Sequence, residues 1–216
     1  MTSPVLQPMF PLQSALLPGE VLPLRIFETR YVQLVQDCLA MTEPAFGVVL
    51  ITRGREVGGG DVRGDVGVLA HIAEYAELGM GLYQLQALSG ERIRVSEWLP
   101  DEPYPRAAVE PWPDEPGPPV THERIGEVVD RILALYQMVA TARGATLRAD
   151  ALAVEPEVAD DPSRHLYALA ARVPMGQADR YAVLCAPTLA ERVDVLTDAI
   201  ETVSAMVEFQ LAAEED

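Results

Sequence analysis

The strongest constraint on the fold of this 216-residue chain is a proline-rich segment near its middle. Five of the nine residues at 111–119 are proline, and such a segment can continue neither a helix nor a central strand. The residues on its two sides follow different patterns. We therefore predict a β-rich unit at residues 1–112 and a helical bundle at residues 120–216, joined by a proline-rich linker at 113–119.

Apolar residues alternate in three stretches of the first unit, which is the pattern of strands with one buried face. These stretches are 22–26, 66–72 and 83–87, and the continuous apolar run at 46–51 is typical of a strand buried on both faces. Ser89-Gly90 predicts a hairpin turn after the third stretch. One helix is predicted, from about Thr29 to Met41, because apolar residues recur there at helical spacing.

The residues after the linker follow helical periodicity throughout. Thr121 is placed to cap a helix that ends at Gly144, and Pro162 is placed to open a second helix. A short third helix is predicted at about 176–185, and apolar residues then recur in steps of four and three from Leu189 to Val207. The predicted fold class is therefore α+β, with a β-rich unit that contains one helix and a C-terminal helical bundle.

The charged residues exclude several kinds of chemistry. The 16 basic residues are all arginine, so the chain has no lysine for a P-loop, a Schiff base or a Ser-Lys peptidase. The formal net charge of −17 disfavours nucleic acid and anionic membranes as partners.

Targeting signals and cysteine usage indicate the compartment. No apolar stretch approaches the roughly 20 residues of a membrane helix, and no basic segment precedes an apolar one at the N-terminus. The two cysteines, Cys38 and Cys185, lie far apart in the sequence, as is usual in a reducing compartment. We expect a soluble cytoplasmic protein that binds neither nucleic acid nor membrane.

No pattern of catalytic or metal-binding residues is visible. The histidines share no metal-ligand spacing with one another or with the cysteines, and no serine stands in a nucleophile elbow. The glycine-rich stretch at 54–64 lacks the third glycine and the following helix of a phosphate-binding loop. We therefore predict no catalytic residue, no metal and no cofactor, and we predict that the chain is not an enzyme.

The remaining candidate is a surface at the predicted turn between two strands. Leu78, Met80 and Tyr83 surround two glycines there, and exposed apolar residues on a turn can mark a binding site. Methionine adapts to many apolar sequences, as a promiscuous polypeptide-binding site requires. The alternative, that these side chains fold back onto the sheet, stays open.

Two strings of residues resemble a known family. Met9-Phe10-Pro11-Leu12 and then the string from Leu17 to Tyr31 are similar to the opening of the substrate-binding domain of Lon proteases, and Asp65-Val66-Gly67 and Pro103-Tyr104-Pro105 continue the resemblance. The positions to which the resemblance assigns a structural role are Pro18, Gly19, Pro23, Phe27, Glu28, Arg30 and Tyr31. It implies a PUA-like pseudo-barrel in the first unit and a helical extension in the second.

The resemblance also implies a role. Full-length members carry an ATPase and a Ser-Lys peptidase behind this domain, and we expect neither here because the chain stops at Asp216 and has no lysine. The implied function is a non-catalytic recognition module or adaptor that binds exposed or unfolded polypeptide, by apolar contact or by strand addition. A protease or a chaperone is the further candidate partner.

Two alternative functions stay open at this point. A hydrolase would require an acid, a histidine and a serine that come together in a deep pocket. An RNA-binding protein of the PUA-like type would require a basic stripe on the surface.

Overall fold

The computed structural model describes residues 4–53, 62–79, 81–148 and 150–215. The chain forms two compact units, Met1–Pro113 and Asp114–Asp216. The first contains the strands and one helix, and the second is helical. The predicted α+β class is confirmed.

The first unit is a curled sheet of six strands. They are β1 (Val5–Leu12), β2 (Val21–Ile26), β3 (Ala45–Arg53), β4 (Val62–Glu77), β5 (Tyr83–Leu99) and β6 (Arg106–Pro111), with helix α1 (Thr29–Leu39) between β2 and β3. The strand order is β2-β5-β4-β3-β1-β6, and β6 also pairs with β5. Five strands therefore close into a ring, while β2 pairs only with β5 among the described strands and lies outside it.

The interior of the ring and the side covered by α1 hold the core of this unit. Met9, Val49, Ile93 and Val109 belong to one buried cluster. Helix α1 buries one face of its own, as its apolar spacing predicts, and its buried residues are Tyr31, Leu34, Val35 and Cys38. Side-chain packing thus fixes both the ring and the helix beside it.

The predicted hairpin at Ser89-Gly90 is wrong, because β5 continues through it. The side chain of Ser89 is buried, its hydroxyl donates to the Leu17 carbonyl, and its backbone N–H donates to the Glu20 carbonyl at 2.9 Å. A Cβ on Gly90 would lie 3.2 Å from the Leu69 carbonyl oxygen. These two small residues thus serve a strand that changes partner, from β2 at residues 83–88 to β6 at 93–99.

The second unit contains five helices within its described residues. They are α2 (His122–Ala142), α3 (Pro156–Ala159), α4 (Pro162–Ala170), α5 (Gln177–Cys185) and α6 (Leu189–Glu215). The predicted starts of two helices are confirmed: Thr121 accepts from the Arg124 N–H at 3.2 Å, and Asp161 accepts from the Ser163 N–H at 2.9 Å. The short helix α3 was not predicted.

A buried arginine joins three parts of the second unit. Arg192 on α6 is fully buried, and its guanidinium makes two hydrogen bonds to the Asp114 carboxylate and donates to Ser163 Oγ at 2.8 Å. Its guanidinium carbon also lies 4.1 Å from the centre of the Tyr167 ring. The Glu115 N–H donates to the Pro187 carbonyl at 2.8 Å, so residues 114 and 115 of the predicted linker are held by the helical unit itself.

Candidate functional site

Three strand segments extend beyond the closed ring and form a small sheet, which we call the lobe. The lobe consists of residues 21–26 of β2, 83–88 of β5 and 71–77 of β4, with β5 in the centre. Ile26 and Glu77 both pair with Tyr83. Phe27 and Leu78, the next residues along their chains, therefore leave the lobe at the same end.

The turn between β4 and β5 closes this end of the lobe. The Leu78 N–H donates to the Leu82 carbonyl at 2.8 Å, and the Leu82 N–H donates to the Gly79 carbonyl at 3.1 Å. Gly79 and Gly81 have φ angles of 86° and 75°, values that glycine adopts without the steric cost of a Cβ. The glycines that predicted a turn are therefore required by its geometry.

The structure separates the residues of the predicted polypeptide-binding site. Leu78 is 59% exposed, whereas Tyr83 is only 6% exposed and packs in the core. Met80 lies outside the described residues. Leu78 is thus available to a partner, and the Tyr83 side chain supports the sheet behind it.

Phe27 is a second exposed apolar residue at this end, and the sequence reasoning assigned it only a structural role in the family motif. Its side chain is 68% exposed, while the preceding Ile26 is buried. The alternation of Leu22, Leu24 and Ile26 was the one signal in the sequence, because it predicts that Ile26 points inward. It does not extend to Phe27, which follows the last residue of β2.

Other residues of the motif have local structural roles. Gly19 has a φ angle of 88° in the turn before β2. The Arg30 guanidinium lies 4.5 Å from the centre of the Tyr31 ring and pairs with Glu28 at 3.1 Å. Tyr31 is buried and Pro18 is half-buried. These contacts fix the start of α1 next to the lobe.

The lobe and the residues that directly follow β2 and β4 carry several exposed large apolar side chains. They are Val21, Phe27, Tyr75, Leu78 and Leu88. The acidic side chains of Glu74 and Glu77 are exposed among them. Exposed apolar and acidic side chains of this kind suit a partner that brings apolar and basic groups.

Two observations on the described residues bear on metal binding and catalysis. No group of three or more potential ligands among the described residues could hold a metal ion. An open cavity of about 410 Å³ in the second unit is lined by Leu133, Ala134, Gln137, Leu147 and Arg148, none of which is an acid, a histidine or a serine. This cavity does not support the hydrolase alternative. No described helix is long and apolar enough to cross a membrane.

The buried cysteine is chemically protected. Cys38 donates to the Ala45 carbonyl from its Sγ at 3.3 Å, and burial, with a smaller contribution from Asp37, raises the pKa of its thiol to about 12. Cys185 is half-buried.

Because the thiolate is the reactive form, we expect iodoacetamide at pH 8 to alkylate Cys185 well before Cys38. Mass spectrometry of timed samples measures both rates, and labelling in urea is the control. Equal native rates would contradict the burial of Cys38.

Comparison with known proteins gives one family. The model of the substrate-binding domain of the ATP-dependent protease La (Lon) matches residues 7–202. A Lon protease of Anaeromyxobacter dehalogenans is 31% identical over 110 residues, which are 50% of this chain and 13% of that protein. The match therefore spans about an eighth of the length of this curated relative.

Two solved structures share the fold. A Lon N-terminal domain protein from Xanthomonas campestris is 24% identical, with a TM-score of 0.62 over 90% of this chain and 98% of its own. The N-terminal domain of the Mycobacterium avium complex Lon protease is 16% identical, with a TM-score of 0.59 over 91% of this chain and 98% of its own. Because both identities are below 25%, this similarity shows a shared fold alone.

Proposed function

Because the chain belongs to the family of Lon substrate-binding domains, we propose that it is a non-catalytic recognition module that binds exposed or unfolded segments of other polypeptides. The family model covers residues 7–202, which include most of each unit. Any processing of the bound polypeptide falls to a partner, for which a protease or a chaperone is the proposed candidate. The proposed partners include neither nucleic acid nor membrane.

The observation that supports this proposal most directly is the pair Phe27 and Leu78 at one end of the lobe. Both are large apolar side chains that are more exposed than covered. An unfolded polypeptide exposes apolar side chains that a folded protein buries, and contact with such a surface removes both from water. The proposed site thus distinguishes unfolded from folded polypeptides without reading a particular sequence.

A double substitution, Phe27→Ser with Leu78→Ser, tests the proposed site. The truncation of a central contact costs about 1–2 kcal/mol, so we expect the loss of both to weaken binding at least roughly tenfold. Reduced, carbamidomethylated α-lactalbumin is a suitable permanently unfolded probe, and fluorescence anisotropy at physiological salt measures the affinity. The further substitution Met80→Ser tests the remaining candidate of the predicted site, since Tyr83 is buried.

The matched control is Val5→Ser with Leu6→Ser, because these side chains on β1 are also about half exposed, at 55% and 54%. We expect this variant to bind like the unmodified protein and both variants to melt normally. Equal affinity of the two double variants would contradict the site. A large loss of melting temperature in the first would show that Phe27 and Leu78 stabilise the fold instead.

A further inference from the structure

The lobe has two outer edges, and the pairing register shows which main-chain groups face outward on each. Neighbouring residues of an antiparallel pair alternate between hydrogen-bonded and non-bonded positions. The bond from the Ser89 N–H to the Glu20 carbonyl fixes this alternation on β2, and the bond from the Leu78 N–H to the Leu82 carbonyl fixes it on β4. Residues 22, 24 and 26 of β2 and residues 74 and 76 of β4 therefore face β5, whereas their neighbours face away from it.

The edge of β2 is poorly suited to pair with another strand. Its outward positions are Val21, Pro23 and Arg25, all exposed. Pro23 has no N–H, so the centre of this edge offers no donor to an incoming strand. Proline at such a position is a common protection against edge-to-edge pairing.

The edge of β4 keeps its donors. The last residue of β4 that pairs with β3 is His71, which lies opposite Ala45, and the following Ile72 N–H donates to the Pro44 carbonyl. Beyond this point, no described strand pairs with β4 on the side away from β5. Tyr75 and Glu77 therefore present two N–H and two carbonyl groups along an exposed edge.

Side chains beside this edge suit an apolar and basic partner. Tyr75 pairs with the buried Leu85, so its ring stands on the core face of the lobe, yet it is 57% exposed because it lies at the margin. A strand added next to β4 would place a side chain against this ring. Glu74 and Glu77 are exposed on the same strand and would attract lysine or arginine in that partner.

We propose that an extended client segment binds as an added strand along residues 73–77 of β4, with an apolar side chain against Tyr75 and a basic residue near Glu77. The edge of β2 is closed to this mode by Pro23. The inference rests on the proposed function and specifies its mode of binding. This mode of binding favours segments that are extended, apolar and basic. It disfavours segments rich in proline, because proline has no N–H to donate along the shared edge.

Two peptides test the mode of binding. One is a nine-residue peptide of alternating valine and threonine with a lysine at each end, and the other is the same peptide with its five central amides N-methylated. An added strand donates every second amide to β4, and methylation of all five central amides removes these donors in either register. We therefore expect the N-methylated peptide to bind at least roughly tenfold more weakly by isothermal titration calorimetry.

Substitutions separate the two edges. Glu77→Pro removes an outward N–H without removing a bond between β4 and β5, whereas Glu77→Ala keeps that N–H. We expect the proline variant to bind the unmodified peptide about fivefold or more weakly than the alanine variant does. Pro23→Val restores a donor on the other edge, and we expect the stoichiometry to rise from one peptide to two. Amide hydrogen exchange of unsubstituted protein is the further readout, in which peptide should slow exchange at Tyr75 and Glu77.

The outcomes distinguish the two proposals. Equal binding of both peptides, or unchanged exchange at Tyr75 and Glu77 when the unmodified peptide binds, would overturn strand addition and leave polypeptide recognition by side-chain contact. If neither peptide nor unfolded α-lactalbumin bound, the proposed function would fail together with this inference.

Discussion

Replacement of Asp114 by alanine should lower the free energy of unfolding of the second unit by about 3 kcal/mol, the lower end of the range of roughly 3–5 kcal/mol for a broken buried ion pair. The reason is the partner: Arg192 is fully buried, and the substitution leaves its charge without this carboxylate. The Asp114 side chain is a quarter exposed, which places the effect at the low end. Urea denaturation followed by the far-UV helical signal measures it.

An exposed ion pair of the same unit provides the control. Arg131 on α2 pairs with Glu201 on α6 at 2.6 Å, with both side chains about half exposed. Exposed pairs of this kind contribute about 0–1 kcal/mol because water screens them, so Glu201→Ala should change the stability by less than about 1 kcal/mol. If Asp114→Ala were as mild as Glu201→Ala, the contacts of Asp114 would not stabilise the helical unit, and the segment after Pro113 would behave as the predicted linker.

This network could not be predicted from the sequence. The local pattern around Arg192 indicates a helix with an apolar seam, and arginine on such a helix is usually solvated. Its burial depends on Asp114, 78 residues away in the chain, and on Ser163 and Tyr167 of α4. The proline content predicted a linker at Asp114, because prolines exclude a helix or a central strand there. The same composition carries no information about which distant residues the segment contacts.

The features that were predicted correctly have local causes. Thr121 and Asp161 cap the helices that follow them, and Gly79 and Gly81 supply the φ angles of a turn. The hairpin at Ser89-Gly90 failed for the complementary reason. A small residue pair is needed there by neighbouring strands, which a local pattern cannot distinguish from a turn.

The candidate site lay between these two cases. The turn around Leu78 was predicted from its glycines. The exposure of Phe27, however, depends on which face of β2 is covered. The exposure of Leu78 and the burial of Tyr83 likewise depend on how β4 and β5 pair at the end of the lobe. The open edge of β4 was not predicted, because the sequence of β4 does not indicate where the neighbouring strand β3 begins or ends. It follows from β3 beginning at Ala45 while β4 continues to Glu77.

Among the glycines of the described residues, replacement by alanine should lower the stability most at Gly67 on β4. A Cβ built there would lie 2.1 Å from the Val48 carbonyl oxygen and 2.8 Å from Val49 Cγ1. The first of these is a backbone atom of the paired strand β3, which cannot move without disturbing the ladder. Overpacking of a core typically costs about 1–3 kcal/mol, and for Gly67→Ala we expect the upper end of that range or more.

Gly126 on α2 offers the opposite result from the same chemical change. Within the described part of the chain, a Cβ on Gly126 would have no atom within 4 Å apart from its chain neighbours and the backbone of its own helix. Alanine is favoured over glycine in a helix by about 1 kcal/mol. Gly126→Ala should therefore stabilise the second unit by about 0.5–1 kcal/mol.

The two glycine substitutions are best measured in parallel. Both tryptophans, Trp98 and Trp112, belong to the first unit, so their fluorescence during urea denaturation reports Gly67→Ala, while the far-UV helical signal reports Gly126→Ala. Gly47→Ala is the intermediate case, because the closest atom is Sδ of the Met9 side chain at 2.5 Å, and a flexible side chain yields more readily than a strand. We expect the loss of stability to be greatest for Gly67, smaller for Gly47 and reversed for Gly126. A Gly67→Ala variant within about 1 kcal/mol of the unmodified protein, below most overpacked cores, would show that β3 and β4 are not held as closely as their register requires.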